Sequence, residues 1–264
     1  MNRILCSTGA LITRRNGRNH NLLPGLAEKL HFDGFELMIY KSWYGCNDII
    51  DDIARMGLVI PSVHCEKEIG ELISAGNTEA FDRFEFDCQA TEKVGAEILV
   101  LHLWNGLVSD SNFPENVRAY DRLRNIAGKH GLLLTVENVV CNVSTPMDRI
   151  MELEAEYPDI SFTFDTKMAQ FHGELEKVYN EEFWQKHIRH LHINDYGGGF
   201  MDWNSLQTLH IGSGNVDFVG FFDFVRKKRY NGDFTVEASS VNPDGSVDID
   251  KLNDDFLKIK GYIA

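Results

Sequence analysis

Six metal-capable side chains, His64, His102, Glu137, Asp165, His192 and Glu237, each close a short apolar run, and that recurrence constrains the fold more than any other feature of the chain. The runs are Val59 to Val63, Ile98 to Leu101, Leu132 to Val136, Ile160 to Phe164, Ile188 to Leu191 and Phe234 to Val236. Each reads as a buried β-strand. Successive ends are separated by roughly 30 to 45 residues, the length of one strand, one helix and two loops. If the strands are parallel, all six side chains emerge at the same edge of one sheet.

Helical segments fill the intervals. Two further strands, Arg3 to Cys6 and Gly34 to Ile39, precede the six, giving eight strand-helix units. The predicted helices cover residues 22–30, 47–56, 78–95, 114–130, 146–157, 175–186, 217–228 and 248–260. Asn47 and Thr145 are expected as N-caps, Pro114 and Pro146 open helices, and Gly131 stops one. Ile49, Ile50, Ile53 and Met56 recur at helical spacing, as do Phe81, Phe84, Cys88 and Thr91. Near-continuous apolar strands alternating with helices indicate an α/β chain with a parallel sheet covered on both faces. An open doubly wound sheet would leave six candidate ligands spread along an edge, whereas a closed (β/α)8 barrel gathers them around one mouth. The 264 residues contain no linker or low-complexity tract, and the six prolines are scattered. The expected fold is therefore a (β/α)8 TIM barrel with residues 1–264 as a single domain.

The formal charge of −14 argues against nucleic acid and against anionic membranes as partners. Arg226-Lys227-Lys228-Arg229 falls at a predicted helix C-terminus, where positive charge suits the dipole. Five cysteines, an odd number without paired spacing, fit a reducing compartment. The apolar run at the amino terminus is too short for a signal peptide, and no 18 apolar residues stand in a row. A soluble, cytoplasmic protein is expected.

Taken singly, a strand-end histidine is commonly a hydrogen-bonded core residue, and Asp165-Thr166 can simply begin a turn. Glu137 and Glu237 resist that account, because a buried carboxylate without a partner is costly and normally pairs or binds a cation. Three carboxylates and one imidazole suit a divalent ion with positions left open for substrate oxygens. Manganese is the expected ion, with magnesium, cobalt and zinc also admissible.

The segments Phe32-Asp33-Gly34-Phe35-Glu36-Leu37, Val136-Glu137-Asn138, Phe164-Asp165-Thr166, His190-Leu191-His192-Ile193-Asn194-Asp195, His210 to Asp217 and Val236-Glu237 resemble, in order and spacing, those of the xylose isomerase-like barrels. That family includes sugar and sugar-phosphate isomerases and epimerases, inosose-processing enzymes and endonuclease IV-type repair enzymes. The resemblance implies that Glu137, Asp165, His192 and Glu237 share one metal and that Glu137 and Glu237 exchange protons with substrate. It implies substrate contact, or in the repair branch a second metal, for His64 and His102. The repair branch also needs a histidine three residues after Asp165, where this chain has Met168, and further ligands where it has Leu206 and Thr208. Met168 also replaces a substrate-binding histidine of several isomerases. Lys167 or His172 can take that part, or face solvent.

The expected substrate is a small sugar or polyol. Trp104 and Trp43-Tyr44 are candidates to pack on its carbon face, Glu36 to bind its hydroxyls and His210 to anchor a loop or touch substrate. Gly197-Gly198-Gly199 and Gly212-Ser213-Gly214 lie near where barrels cradle phosphate, although such glycines also serve tight turns. The reaction expected is metal-dependent isomerisation or epimerisation through an enediolate, with keto-inositol dehydration, and then phosphodiester cleavage of DNA, as alternatives. Relatives form dimers and tetramers, so a homodimer or homotetramer is expected.

Overall fold

The computed structural model describes residues 2–264. Eight parallel strands occur in the order anticipated: β1 (Ile4–Ser7), β2 (Gly34–Met38), β3 (Ser62–His64), β4 (Ile98–Leu101), β5 (Leu133–Glu137), β6 (Ser161–Asp165), β7 (Ile188–His192) and β8 (Asp233–Val236). They close as a barrel in sequence order, the (β/α)8 fold. The helices are α1 (Leu23–Ala27), α2 (Asn47–Arg55), α3 (Ile69–Ser74), α4 (Glu79–Lys93), α5 (Gly106–Ser111), α6 (Phe113–Lys129), α7 (Pro146–Glu156), α8 (Thr166–Phe171), α9 (Glu181–His187), α10 (Phe218–Lys227) and α11 (Ile249–Ile263). The chain forms two compact units, residues 37–163 and residues 1–36 with 164–264, and the divisions fall inside β2 and β6.

In the unit of residues 37–163, β4 pairs with β3 and β5, and β5 with β6. Its core comes from Leu99, Leu101, Leu134 and Val136 on strands and from Phe84, Cys88, Leu123, Ala127, Ile150 and Leu153 on helices, all buried. In the other unit β1 pairs with β2 and β8, and β8 with β7. Helix α10 buries Phe218, Phe221, Phe222 and Val225, the i, i+3, i+4, i+7 stripe of an amphipathic helix. Phe222 lies 5.7 Å from Phe234 of β8 and Phe221 6.1 Å from Phe164 of β6, ring to ring. Burying one Phe contributes roughly 1.5–3 kcal/mol, so this cluster is a large part of the unit's stability.

Strand side chains alternate between two faces. The second face is polar: Ser62 and His64 on β3, Thr135 and Glu137 on β5, Thr163 and Asp165 on β6, and His190 and His192 on β7 are all buried. Thr135 and Thr163 join hydroxyl to hydroxyl at 2.7 Å. Each of these four strand-end candidate ligands thus stands two residues beyond another buried polar side chain.

Several expectations need correction. The first helix begins at Leu23, after a 3-10 turn at His20–Leu22, and ends at Ala27, short of the expected residue 30. The segment 175–186 splits into a 3-10 turn (Leu175–Val178) and α9, where Asn180 accepts from the Phe183 N–H and starts a new helix. Helices α3, α5 and α8 were not anticipated, being only six residues each and too short to display a period. Asn47 is the first helical residue rather than the cap; Cys46 stands at that position without a side-chain cap bond. Phe81 is only partly buried, with the Arg122 guanidinium 3.6 Å over its ring. Thr145, Pro114, Pro146 and Gly131 act as expected: Thr145 accepts from Asp148 N–H, the prolines sit in first turns and Gly131 takes φ 69°. None of the five cysteines is in a disulfide among the described residues. Among the described residues no helix is long and apolar enough to cross a membrane.

Candidate metal and substrate site

In residues 37–163, the ends of β3, β4 and β5 bring His64, His102 and Glu137 together. Their candidate ligand atoms lie within 4.8 Å of one another, and all three residues are buried. His102 Nε2 is 2.8 Å and His64 Nε2 3.2 Å from the same oxygen, Glu137 Oε2. His64 Nδ1 is 2.7 Å from the Cys65 carbonyl, which can only accept, so Nδ1 carries a proton. In a neutral His64, Nε2 then presents a lone pair to a carboxylate oxygen. Two imidazole nitrogens and a carboxylate aimed at one point are the donor chemistry of a cation site. Burial presses the His102 imidazole down to about 4, although Glu137 pulls the other way, so His102 is neutral near pH 7 and available as a ligand.

The loop after β4 is fixed by Asn116 of α6, which donates to the carbonyls of Gly70 at 2.7 Å and Leu103 at 2.6 Å. Gly70 is required there, since a Cβ would stand 2.6 Å from the Leu103 carbonyl oxygen and 2.8 Å from that of His102. Trp104 is wholly buried, donates from Nε1 to the Val139 carbonyl at 2.8 Å and packs edge-on against Phe113. It ties the loop after β4 to the loop after β5. Trp43 is also buried; Tyr44 is 40% exposed.

In the unit of residues 1–36 and 164–264, Asp165, His192 and Glu237 each offer a ligand atom, within 4.8 Å of one another. Asn194 links the two carboxylates. Its Nδ2 donates to Asp165 Oδ2 at 2.8 Å and reaches Glu237 Oε2 at 3.3 Å, and its Oδ1 accepts the Glu237 N–H at 2.8 Å. Thr166 holds Asn194 in turn, donating to its carbonyl at 2.7 Å and accepting its N–H at 3.0 Å. The other Asp165 oxygen, Oδ1, caps α8 through the Met168 N–H. Two carboxylates drawn to one amide and one imidazole repel each other unless a cation joins them, so the donor set fits a divalent ion.

Glu36 lies on the same polar face. Its Oε2 is 2.8 Å from His190 Nε2, its Oε1 is 3.1 Å from His192 Nε2, and it is fully buried. Burial works to raise the Glu36 carboxyl, but the imidazoles of His192 and His190 outweigh it and hold the group well below the usual carboxylate value. Both oxygens of Glu36, a hydroxyl-binding candidate, face histidines. With Nε2 turned to Glu36, His192 directs Nδ1 to the side of Glu237, 3.4 Å from Oε2. A carboxylate behind a ligating imidazole fixes its tautomer and raises its basicity.

The Gly212-Ser213-Gly214 loop is not a phosphate cradle. Both glycine N–H groups are taken by Asp195, whose Oδ2 accepts from Gly212 at 2.9 Å and Gly214 at 2.8 Å, while Ser213 N–H donates to the His210 carbonyl at 3.0 Å; Asp195 Oδ1 accepts from Val216 at 3.0 Å and Tyr196 at 2.8 Å. His210 anchors the loop through Asp255, at 2.6 Å. Lys167 and His172 are both buried, so neither faces solvent. Asn194, Thr166 and Asp195 organise the site without having been singled out beforehand, although all three fall inside the motif segments; the signal available was their polarity beside apolar strand ends.

Sequence comparison matches residues 24–254 to the family described as Xylose isomerase-like TIM barrel. A comparison with the curated proteins found no match. Among solved structures, a D-tagatose 3-epimerase-like protein is similar with a TM-score of 0.75 and 17% identity, covering 99% of this chain and 97% of that one. An L-ribulose 3-epimerase gives 0.73 and 15%, covering 100% and 95%. The IolI protein, solved with a zinc atom, gives 0.73 and 14%, covering 99% and 98%. At these identities the likeness is one of fold.

Proposed function

Because the chain belongs to the xylose isomerase-like TIM barrel family, we propose that it is a divalent-metal-dependent sugar isomerase or epimerase, with residues 1–264 acting as one catalytic domain. The observation that carries this reading is the convergence of Asp165, His192 and Glu237 at the carboxyl ends of β6, β7 and β8, with the two carboxylates held by Asn194. Glu137, at the end of β5, completes the proposed ligand set, as the family pattern implies. Manganese is the proposed ion, with magnesium, cobalt and zinc as substitutes, and the zinc in the IolI structure supports a metal at such a site. The ketose epimerases among the similar structures support a ketose or related polyol as substrate.

The bound ion supplies the positive charge that stabilises negative charge developing on substrate oxygen. The chain supplies the proton chemistry. One of Glu137 and Glu237 removes the proton from the carbon beside the carbonyl, and the other returns a proton on the opposite face. Return to the same carbon epimerises; return to its neighbour isomerises. His64 and His102, both on Glu137 Oε2, orient that carboxylate and bind substrate or a second ion. The acidic charge and the missing third-ion residues leave the DNA-cleaving alternative without support.

Proton NMR in D₂O tests the proposal. EDTA-stripped protein reloaded with Mn²⁺ is expected to exchange the C–H beside the carbonyl of one ketose in a panel, and Glu137→Gln and Glu237→Gln to abolish that exchange with the fold intact. Absence of exchange across free ketoses, sugar acids and keto-inositols would overturn the reading.

A further inference from the structure

Lys167 is a buried cation for which the proton chemistry above has no use. It follows Asp165 by two residues, on the helix that Asp165 caps, and its side chain is 8% exposed. Its Nζ makes one hydrogen bond, 2.9 Å to the hydroxyl of Thr208. Among the described residues it makes no ion pair. By contrast, Arg149 donates from both Nε and Nη2 to Asp110 Oδ1, and Arg83 is paired with Glu66 and Glu79. A buried ammonium with one neutral hydrogen-bond partner carries a desolvation cost that an anionic group on a ligand would offset.

The position of that ammonium relates it to the ligand set. The Thr208 carbonyl accepts the Ser239 N–H at 3.2 Å, so Thr208 is tied to the segment two residues beyond Glu237. Lys167 and Thr208 thus span the exits of β6 and β8, the strands that present Asp165 and Glu237. The other anion-binding device nearby, the N–H groups of the glycine loop, is filled by Asp195. A negative group on a ligand is therefore met by Lys167 and not by that loop.

We propose that Lys167 is the recognition group for a substrate carboxylate, so that the compound handled is an unphosphorylated sugar acid or other polyhydroxy keto acid. A carboxylate takes the two Nζ protons that Thr208 leaves unused, and a rigid, buried donor discriminates against the neutral analogue because the charge is otherwise left unpaired. Phosphate is disfavoured by the same geometry, one lysine and no backbone cradle. The inference rests on the proposed function for the rest of the substrate, while the carboxylate contact is a property of Lys167 and Thr208 alone.

The experiment is a calorimetric comparison of xylonate with xylitol, a pair differing in one carboxylate, on Mn²⁺-loaded protein in a buffer free of carboxylate and phosphate. Wild type is expected to prefer xylonate by about 10- to 100-fold, the value of one charge-assisted hydrogen bond. Lys167→Gln is expected to erase that preference while leaving the affinity for xylitol and for Mn²⁺ unchanged. Lys167→Arg, which keeps the charge, retains most of it. Equal binding of the two compounds by wild type overturns the proposal, as does a preference that survives in Lys167→Gln. A change in Mn²⁺ affinity in Lys167→Gln with no change in ligand preference also overturns it, since that marks a charge-balancing role for the lysine. Failure of the isomerase reading is separately visible: Lys167-dependent xylonate binding without D₂O exchange on any compound keeps the carboxylate site and rejects the isomerase. Exchange on neutral ketoses without the preference does the reverse.

Discussion

Replacing Asp195 with alanine is expected to destabilise the protein by about 3 to 6 kcal/mol, a large fraction of typical stability. The carboxylate is 1% exposed and accepts four backbone N–H groups, from Tyr196, Gly212, Gly214 and Val216. Gly212 and Gly214 are exposed and recover water when the acceptor is removed, whereas Tyr196 and Val216 are buried and do not. Two stranded donors, at about 1.5 to 3 kcal/mol each for bonds to a charged acceptor, give the magnitude. Asp195→Asn should cost less, about 1 to 3 kcal/mol, because its amide oxygen can still serve the buried pair while its NH₂ faces donors that solvent can satisfy. Urea unfolding at constant m, with calorimetry in parallel, measures both variants. For a chain of this size the alanine variant should melt on the order of 6 to 20 °C lower. A loss below about 1 kcal/mol for Asp195→Ala, or a larger loss for the asparagine variant, would refute the reasoning.

Gly70→Ala should destabilise by about 1 to 3 kcal/mol or more, because the new methyl meets backbone carbonyls that move only with α3 and the β4 exit. Gly128→Ala, in α6 with nothing within 4 Å, should instead stabilise by about 0.4 to 1 kcal/mol in the same urea titration. Metal-free protein should lose stability on acidification. His102 is held at about 4 when folded and returns to about 6.5 when unfolded, so its contribution is complete above pH 6.5 and disappears as pH falls to about 4. That difference amounts to roughly 3 kcal/mol, and His102→Gln should flatten the urea midpoint's pH dependence across this window. Saturating Mn²⁺ at about 100 times its Kd should raise the melting temperature of stripped protein by on the order of 5 to 10 °C. Asp165→Asn should remove most of that shift, and a full shift in the variant would remove Asp165 from the ligand set.

The eight strands were legible in the sequence because parallel strands buried on both faces must be continuously apolar, and Ile98-Leu99-Val100-Leu101 or Leu132 to Val136 can hardly be anything else. The candidate ligands were legible for a related reason: a carboxylate such as Glu137 closing an apolar run is too costly to bury without a task. Alternation carried a further signal, since Thr135, Thr163, His190 and Thr235 two residues before four of the ligands mark a polar sheet face that apolar counting passes over.

Other features depended on distance along the chain. The histidine neighbours of Glu36 were not legible because they stand more than 150 residues away, and only folding brings them to 2.8 and 3.1 Å. The glycine loop looked like a phosphate site because glycine permits a row of convergent N–H groups but does not specify the anion; Asp195 filled it. Short helices such as α8 are dictated by a cap, here Asp165 on the Met168 N–H, and not by periodicity. Local pattern and burial cost thus determined the strand order and the residue types at the site. Tertiary structure decided which polar atoms pair with each other, as Lys167 Nζ with the Thr208 hydroxyl, because pairing depends on positions in space that no local pattern encodes.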